Sequence, residues 1–159
     1  MHSGIIWTMT IYTIGYGNRP MEDFLGLLRH YGIDVLVDAR SVPYSRFRPA
    51  YRKQAFQASL EAAGVAYVYL GDVLGGKLVD PSCMVDGKVD LEKLYALPSF
   101  QAGIDQVTAL LHAGHTPALM CAEQKPADCH RYWMLTPPLE ARGITVLHID
   151  EKGGLFQAK

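Results

Sequence analysis

The feature of this sequence that most constrains its fold is a regular alternation of short apolar runs with longer amphipathic stretches. Five runs rich in Val, Ile, Leu and Tyr predict strands that are buried on both faces. They cover residues 11–14, 35–37, 65–70, 118–121 and 144–149. Helical patterns separate them, at residues 20–31, 53–63, 99–113 and from about Asp128 onward. This order predicts an α/β fold, a three-layer sandwich around a mostly parallel sheet of roughly five strands.

Proline and glycine mark where the helices should begin and end. Pro20 suits the first turn of a helix, and Gly32 is a typical helix stop. Pro137 and Pro138 lie inside the last helical pattern, where a helix interior tolerates proline poorly. We therefore expect a break or a new helical start at these two prolines.

The length of 159 residues predicts one domain. We expect an N-terminal extension over residues 1–9, followed by a single α/β domain over residues 10–159. Met9 could begin the protein as well as Met1. Residues 71–97 have few apolar anchors and predict an irregular insertion, a type of segment that often serves as a lid or a binding loop.

Composition narrows the classes of function. The net charge of −1 gives no global attraction to nucleic acid or to membranes. Three cysteines are too few, and odd in number, for a secreted disulfide scaffold. No convincing signal peptide and no apolar run of about 18 residues is present. We predict a cytoplasmic protein without a membrane partner, and the oligomeric state stays open.

Reactive side chains concentrate after the predicted strands, whereas the opposite ends of the helices carry plain glycine stops. In open α/β sheets, ligands bind beyond the carboxyl ends of the strands. The segments that follow the first four strands are GYGNR at 15–19, DARSVPYSR at 38–46, GDVLGGK at 71–77 and CAE at 121–123. This asymmetry predicts a ligand site at that edge of the sheet.

The densest patch, MCAEQKPADCHR, spans residues 120–131. A helix that starts near Asp128 would present free N–H groups to an anion, and Arg131 would add a fork of donors. Cys121 could be a nucleophilic thiolate, with Glu123 or His130 as acid or base. In the alternative interpretation Cys121 is a small core residue, Asp128 a helix cap and His130 a structural histidine.

The patch does not predict a metal site. Seven residues separate Cys121 from Cys129, His130 is adjacent to Cys129, and no CxxC pair exists. The Gly75-Gly76-Lys77 turn lacks the ending of a phosphate-binding P-loop, and the glycines at 15 and 17 lack the third glycine of a dinucleotide fingerprint. We therefore predict neither a metal nor a cofactor.

A second patch, RSVPYSRFRPAYRK at residues 40–53, holds five cations and no acid. Tyr44, Phe47 and Tyr51 alternate with these cations, a mixture typical of nucleotide or single-stranded nucleic-acid sites. The alternative is a solvated basic loop before a helix. Asp38, at the end of the second strand, could pair with Arg40 or Arg131 and hold the site together.

Four ordered motifs carry a family resemblance: TIGYGNRPMEDFLGLLRHYGIDVLVDARSVPYSR, YLGDVLGGK, MCAEQKPADCHR and the closing VLHID. Together they resemble the DUF488 family over nearly the whole chain from Thr10. The resemblance implies a small cytoplasmic α/β domain with a pocket near these motifs. The positions that match the family motifs are Arg40, Ser41, Pro43, Ser45, Arg46, Cys121, Glu123, Cys129, His130 and Arg131. The chain departs from the family pattern at residues 132–138.

The leading hypothesis is a pocket for a phosphate-bearing small molecule or nucleic-acid component, with hydrolase or transferase chemistry as the reaction class. The predicted catalytic residues are Glu123, Cys121 and His130. The predicted ligand-binding residues are Arg40, Ser41, Ser45, Arg46, Cys129, Arg131, Asn18, Gly75 and Gly76. The competing hypothesis is a non-catalytic nucleic-acid-binding module that uses residues 40–53.

Overall fold

A computed structural model of the protein describes residues 9–76, 79–125 and 129–157. The eight strands in this part of the chain are Thr10–Gly15 (β1), Val35–Asp38 (β2), Ala66–Tyr69 (β3), Met84–Val85 (β4), Lys88–Val89 (β5), Pro117–Cys121 (β6), Thr145–Ile149 (β7) and Leu155–Phe156 (β8). The α-helices are Met21–His30 (α1), Lys53–Ala62 (α2), Gly71–Leu74 (α3), Leu91–Ala96 (α4), Pro98–His112 (α5) and Thr136–Glu140 (α6). Two 3₁₀ turns and one π-helix complete them, at Pro49–Tyr51, Pro81–Cys83 and Arg131–Leu135.

The central sheet has six strands in the order β3-β2-β6-β1-β7-β8. All pairs are parallel except the last, in which the short β8 runs antiparallel to β7. The predicted α/β fold and its mostly parallel sheet are therefore confirmed, and all five predicted strands are present. The sequence did not predict β8, because its two residues are too few to show a period.

Helices cover both faces of the sheet. The face covered by α1 and α2 buries apolar side chains that recur three or four residues apart, namely Phe24, Leu28, Phe56 and Leu60. The other face is covered mainly by α5 and α6, with Phe100, Ile104, Val107 and Leu139 completely buried. This spacing places one side of each helix against the sheet.

One strand differs from the prediction. The run at residues 65–70 was expected to be buried on both faces, but β3 lies at an edge of the sheet, with Ala66 exposed and the other three residues half-buried. An edge position leaves one side of a strand without a neighbour, so composition alone cannot identify it.

The segment at residues 71–97 contains more regular structure than the sequence predicts. It holds α3, a 3₁₀ turn, the β4–β5 hairpin and α4. Leu74, Cys83 and Leu94 are buried and join the larger hydrophobic core. These anchors are about ten residues apart, too far to form a periodic pattern in the sequence.

A new α-helix starts where the prolines predict. The π-helix Arg131–Leu135 ends there and α6 begins at Thr136, with Pro137 and Pro138 in its first turn. The expected helix start near Asp128, the loop residue Lys77 and residues 1–8 of the predicted extension lie outside the described residues. Within the described ranges, no helix is long and apolar enough to cross a membrane.

The strand order brings three strand ends together. Because β6 lies between β1 and β2, the carboxyl ends at Gly15, Asp38 and Cys121 are neighbours. Backbone hydrogen bonds continue past the strands, from Tyr16 N to the Cys121 carbonyl at 3.2 Å and from Ala39 N to the Met120 carbonyl at 2.9 Å. The residues that follow these strands therefore start from fixed positions.

Candidate functional site

A cavity of about 330 Å³ opens at the carboxyl edge of the sheet. This volume lies at the lower end of the range for small-molecule sites, about 300–1,000 Å³. The lining residues come from the ends of β1, β2 and β6, the α3 turn and the π-helix region: Tyr16, Arg40, Ser41, Val42, Tyr44, Gly76, Cys121, Ala122, Glu123, Cys129, His130 and Trp133. Segments that are distant in sequence thus meet around one cavity.

Seven of the twelve site residues predicted from sequence line this cavity: Arg40, Ser41, Gly76, Cys121, Glu123, Cys129 and His130. The remaining five, absent from the cavity lining, are Asn18, Ser45, Arg46, Gly75 and Arg131. Among them, Asn18 and Arg46 are exposed, and the Ser45 hydroxyl accepts a hydrogen bond from Arg48 N at 3.1 Å. Gly75 packs behind the lining, because a Cβ there would lie 2.2 Å from the Ser41 hydroxyl oxygen.

Arg40 is held in a buried ion pair with Asp38. Its Nε and Nη2 donate to the two carboxylate oxygens at 2.9 and 2.8 Å, and Nη1 donates to the Tyr51 carbonyl at 2.7 Å. Arg40 and Asp38 are 5% and 0% exposed. Burial opposes the charge of Arg40, but the hydrogen bonds and the charge of Asp38 outweigh this effect and raise the pKa of Arg40. Most of its positive charge is therefore balanced locally, so the cavity is less electropositive than the sequence suggests.

The Asp38 carboxylate also has a second partner residue, Tyr67. Tyr67 donates its hydroxyl to Asp38 Oδ2 at 2.6 Å. Burial, and then this hydrogen bond, raise the pKa of Tyr67, so it stays a neutral donor. The guanidinium of Arg40 also lies over the Tyr16 and Phe56 rings, 5.4 and 5.7 Å from their centroids. These contacts fix Arg40 rigidly at the wall of the cavity.

Cys121 and Cys129 form a disulfide in the cavity wall. The sequence did not predict this bond, because seven intervening residues give no indication of whether two cysteines meet. A nucleophilic role for Cys121 requires the reduced form. Cys83, the third cysteine, is buried in the core and remote from the cavity lining.

His130 joins the end of β2 to the helical region. Its Nε2 donates to the Ala39 carbonyl at 3.1 Å, and its Nδ1 lies 3.6 Å from the sulfur of Cys129. The ring packs so closely on Gly76 that a Cβ there would lie 2.8 Å from the imidazole. Close packing against the imidazole thus requires glycine at position 76.

Glu123 presents an exposed carboxylate at the rim of the cavity. Its backbone is fixed by close packing on β1, because a Cβ on Gly15 would lie 1.5 Å from the Glu123 carbonyl oxygen. A rigid backbone with a solvated carboxylate suits a general base that needs access to water.

Arg131 is completely buried behind the loop that carries Glu123. Its Nη2 donates to the carbonyls of Glu123 and Gln124 at 3.2 and 3.0 Å. Its Nε and Nη1 have no hydrogen-bond partner among the described residues. Burial, and secondarily the charge of Arg19, lower the pKa of Arg131 to about 9, so it remains charged at neutral pH. Arg131 therefore holds the backbone of Glu123 and Gln124 in place from its buried side.

The twelve predicted site residues omit the apolar and aromatic part of the wall, although Tyr44 belongs to the basic and aromatic segment that the sequence predicted at residues 40–53. Tyr16, Val42, Tyr44 and Trp133 line the cavity, and Trp133 is 41% exposed. Trp133 lies three residues after His130, a helical spacing that places two side chains on one face. That spacing was a usable signal for Trp133, and Tyr16 lies in the segment at residues 15–19 that the sequence predicted to follow the first strand.

In the ranges that the structure describes, no group of three or more His, Cys, Asp or Glu side chains could hold a metal ion.

Comparison with known proteins identifies the family. The family model described as "Domain of unknown function DUF488" matches residues 20–136. A search among curated proteins found no match. The family match covers most of the chain, including the ends of β2 and β6 and the cysteine-containing patch, and confirms the resemblance that the motifs predicted. The chain therefore belongs to the DUF488 family.

Proposed function

We propose that the cavity at the strand ends binds a small phosphate-bearing molecule, with a nucleoside monophosphate as the simplest representative. The observation that carries this proposal is the composition of the cavity wall. The lining combines polar groups, at Gly76 and at Arg40 with its ion-pair partner Asp38, with the rings of Tyr44 and Trp133. Such a combination suits a ligand with an anionic part and a flat, partly apolar part.

The buried cation behind the cavity supports the same class of ligand. A buried guanidinium with unpaired donors is destabilising, by about 1–3 kcal/mol for each neutral-type group and more for charged ones. Arg131 has two such donors, Nε and Nη1. Its long-range charge favours an anion in the adjacent cavity, although the Glu123–Gln124 backbone lies between them.

Hydrolysis or group transfer on this ligand would use Glu123 as the general base. Its carboxylate is accessible to water, and it is the carboxylate among the described lining residues. Cys121 would act as a nucleophile only after reduction of the disulfide to Cys129. A Glu123→Gln variant should lose turnover of p-nitrophenyl phosphate or bis(p-nitrophenyl) phosphate while it keeps the fold.

Binding is tested by titration calorimetry with orthophosphate and AMP. Trp133→Ala should weaken AMP roughly 5- to 150-fold, the range for loss of one base–aromatic stack, and leave orthophosphate unchanged. Glu123→Gln should bind orthophosphate at least as tightly as the parent, because one negative charge is removed from the rim. Glu140→Gln, an exposed glutamate in α6, is the matched control and should change neither.

Two results would refute the proposal. The first is no binding of either probe by the folded parent protein. The second is AMP binding that Trp133→Ala and the control Glu140→Gln affect equally, because the ligand would then lie elsewhere.

A further inference from the structure

A second, smaller cavity of about 140 Å³ opens between the start of α1 and the 3₁₀ turn Pro49–Tyr51. Its described lining residues include two arginines and no carboxylate: Arg19, Pro20, Met21, Phe47, Arg48, Pro49, Ala50 and Tyr51. The first turn of α1 carries Glu22 and Asp23, but both are exposed and neither lines the cavity. The cavity wall is therefore cationic.

The protein positions both arginines, and it leaves one buried donor of Arg48 without a partner among the described residues. Arg19 is almost fully buried, and it donates Nε to the Gly15 carbonyl at 3.0 Å and Nη2 to the Asp150 carbonyl. Arg48 makes a long hydrogen bond, 3.4 Å, from Nε to the Gly17 carbonyl. The Nη2 atom of Arg48 is buried and has no partner among the described residues. Buried donors are normally hydrogen-bonded, and a phosphate oxygen could accept a hydrogen bond from this Nη2 group.

The surface beside this cavity exposes aromatic rings that are paired with cations. Phe47 is 80% exposed, with the Arg46 guanidinium 5.2 Å from its ring centroid. Tyr44 is 54% exposed, with the Arg52 guanidinium 4.6 Å from its centroid. Residues 40–60 contain no Asp or Glu. Exposed rings amid cations are the means by which proteins hold single strands, since bases stack and phosphates pair with arginine.

The two cavities adjoin one another. The rings of Tyr16 and Tyr51 stack with centroids 4.2 Å apart, and Tyr16 lines the larger cavity while Tyr51 lines the smaller one. The loop at residues 42–50 borders both, with Tyr44 at the larger cavity and Phe47 at the smaller. A linear polyanion that crosses this loop would meet both cavities in succession.

We infer that the loop at residues 42–50 and the cavity of Arg19 and Arg48 form a track for single-stranded nucleic acid. A backbone phosphate occupies the smaller cavity, a base stacks on Phe47, and a neighbouring nucleotide enters the larger cavity. This inference gives single-stranded nucleic acid as the substrate class of the larger cavity. Its placement of a nucleotide in that cavity rests on the proposed function. A paired duplex hides the base faces that Phe47 needs, so the track selects single strands.

The test is fluorescence anisotropy with labelled oligothymidylate and oligouridylate of about eight nucleotides, a length within the usual site sizes. Phe47→Ala should weaken binding roughly 5- to 150-fold. Arg48→Ala should reduce the magnitude of the salt slope by about 0.7, the value for one lost phosphate contact on a single strand. Phe47 is exposed and Arg48 partly so, and circular dichroism of each variant verifies the fold.

Matched controls lie outside the described lining of both cavities. Phe156→Ala removes an exposed ring from the edge strand β8, and Arg29→Ala removes an exposed cation from the last turn of α1. Both should leave the affinity within about two-fold of the parent protein. Equal losses in these controls, or equal affinity for a duplex of the same length, would overturn the inference.

The same titrations distinguish this inference from the proposed function. Binding of AMP and orthophosphate without binding of the oligonucleotide overturns the track and leaves the larger cavity as a small-molecule site. Oligonucleotide binding that Trp133→Ala does not change overturns the placement of a nucleotide in the larger cavity. Stronger binding to anionic lipid vesicles than to the oligonucleotide would assign the basic loop to a membrane surface and overturn the nucleic-acid track.

Discussion

Replacing His148, a fully buried imidazole in β7, with glutamine should remove a large part of the acid sensitivity of the folded protein. The Thr136 hydroxyl donates to the Arg131 carbonyl at 2.7 Å, so its oxygen accepts from His148 Nε2, 3.4 Å away. Nδ1 of His148 then accepts from the Thr13 hydroxyl at 2.6 Å. A second proton on this ring would break that arrangement.

The magnitude follows from the pKa. Burial, and secondarily the charge of Arg131, lower the pKa of His148 from 6.5 to about 4. At about 1.36 kcal/mol for each pKa unit, this difference corresponds to roughly 3 kcal/mol. Between pH 6.5 and pH 4 the unfolded chain binds a proton at His148 that the folded protein does not. Stability from this residue is therefore complete above pH 6.5 and declines as the pH falls toward 4.

The measurement is urea unfolding of the parent protein, His148→Gln and His112→Gln at several pH values between 7 and 4. The parent should lose roughly 3 kcal/mol more than His148→Gln over this range. His112 is exposed near the end of α5, so His112→Gln should follow the parent. If the parent and His148→Gln curves stay parallel within about 0.5 kcal/mol, the reasoning about a neutral buried imidazole is wrong.

Three further predictions concern the strand-end cavity and its support. Asp38→Asn should lower the free energy of unfolding by about 3–5 kcal/mol, because it leaves Arg40 charged and buried without its partner. A double variant that adds Arg40→Met should lose less stability than the sum of the two single changes. Urea titration measures both effects, and strictly additive losses would contradict the reasoning. Gly15→Ala should destabilise the protein by about 3 kcal/mol because its Cβ would collide with the Glu123 carbonyl. Gly26→Ala, with open space around it in α1, should instead stabilise the protein by about 0.5–1 kcal/mol. Similar effects of the two changes on the thermal midpoint would argue against close packing of Gly15 on Glu123. Reduction of the disulfide in the cavity wall should lower the free energy of unfolding by about 2–3 kcal/mol, the loop-closure value for a separation of eight residues. It should also yield two thiols that react in the folded protein, while Cys83 reacts only after unfolding. An unchanged urea midpoint would contradict the expected loss of stability, and a third rapidly reacting thiol would contradict the protection of Cys83.

The location of the cavity was predictable because it follows from a local rule. Glycine, hydroxyl and charged residues follow the predicted strands, and seven of the predicted residues do line the cavity there. The roles of the arginines were less predictable. A guanidinium in a sequence gives no sign of its partners, and Arg40 is largely occupied by Asp38 while Arg131 is buried behind the wall. The sequence allowed Asp38 to pair with Arg40 or with Arg131 and did not decide between the two.

Three physical signals in the sequence determined the class of fold, the five main strands and the helix ends. Apolar runs of strand length, amphipathic stretches of helical period, and glycine or proline at the boundaries are local and can be read without knowledge of the rest of the chain. The helical start just before Pro137 and Pro138 is of this kind.

Only the tertiary structure decided the strand order, the disulfide and the composition of the cavity wall. The insertion of β6 between β1 and β2 joins residues more than 80 positions apart, such as Asp38 and Met120. It brings Tyr16, Arg40 and Cys121 to the wall of the larger cavity. The stacked rings of Tyr16 and Tyr51 then lie between the larger and the smaller cavity. Such contacts depend on how every element packs at once, so no local pattern encodes them.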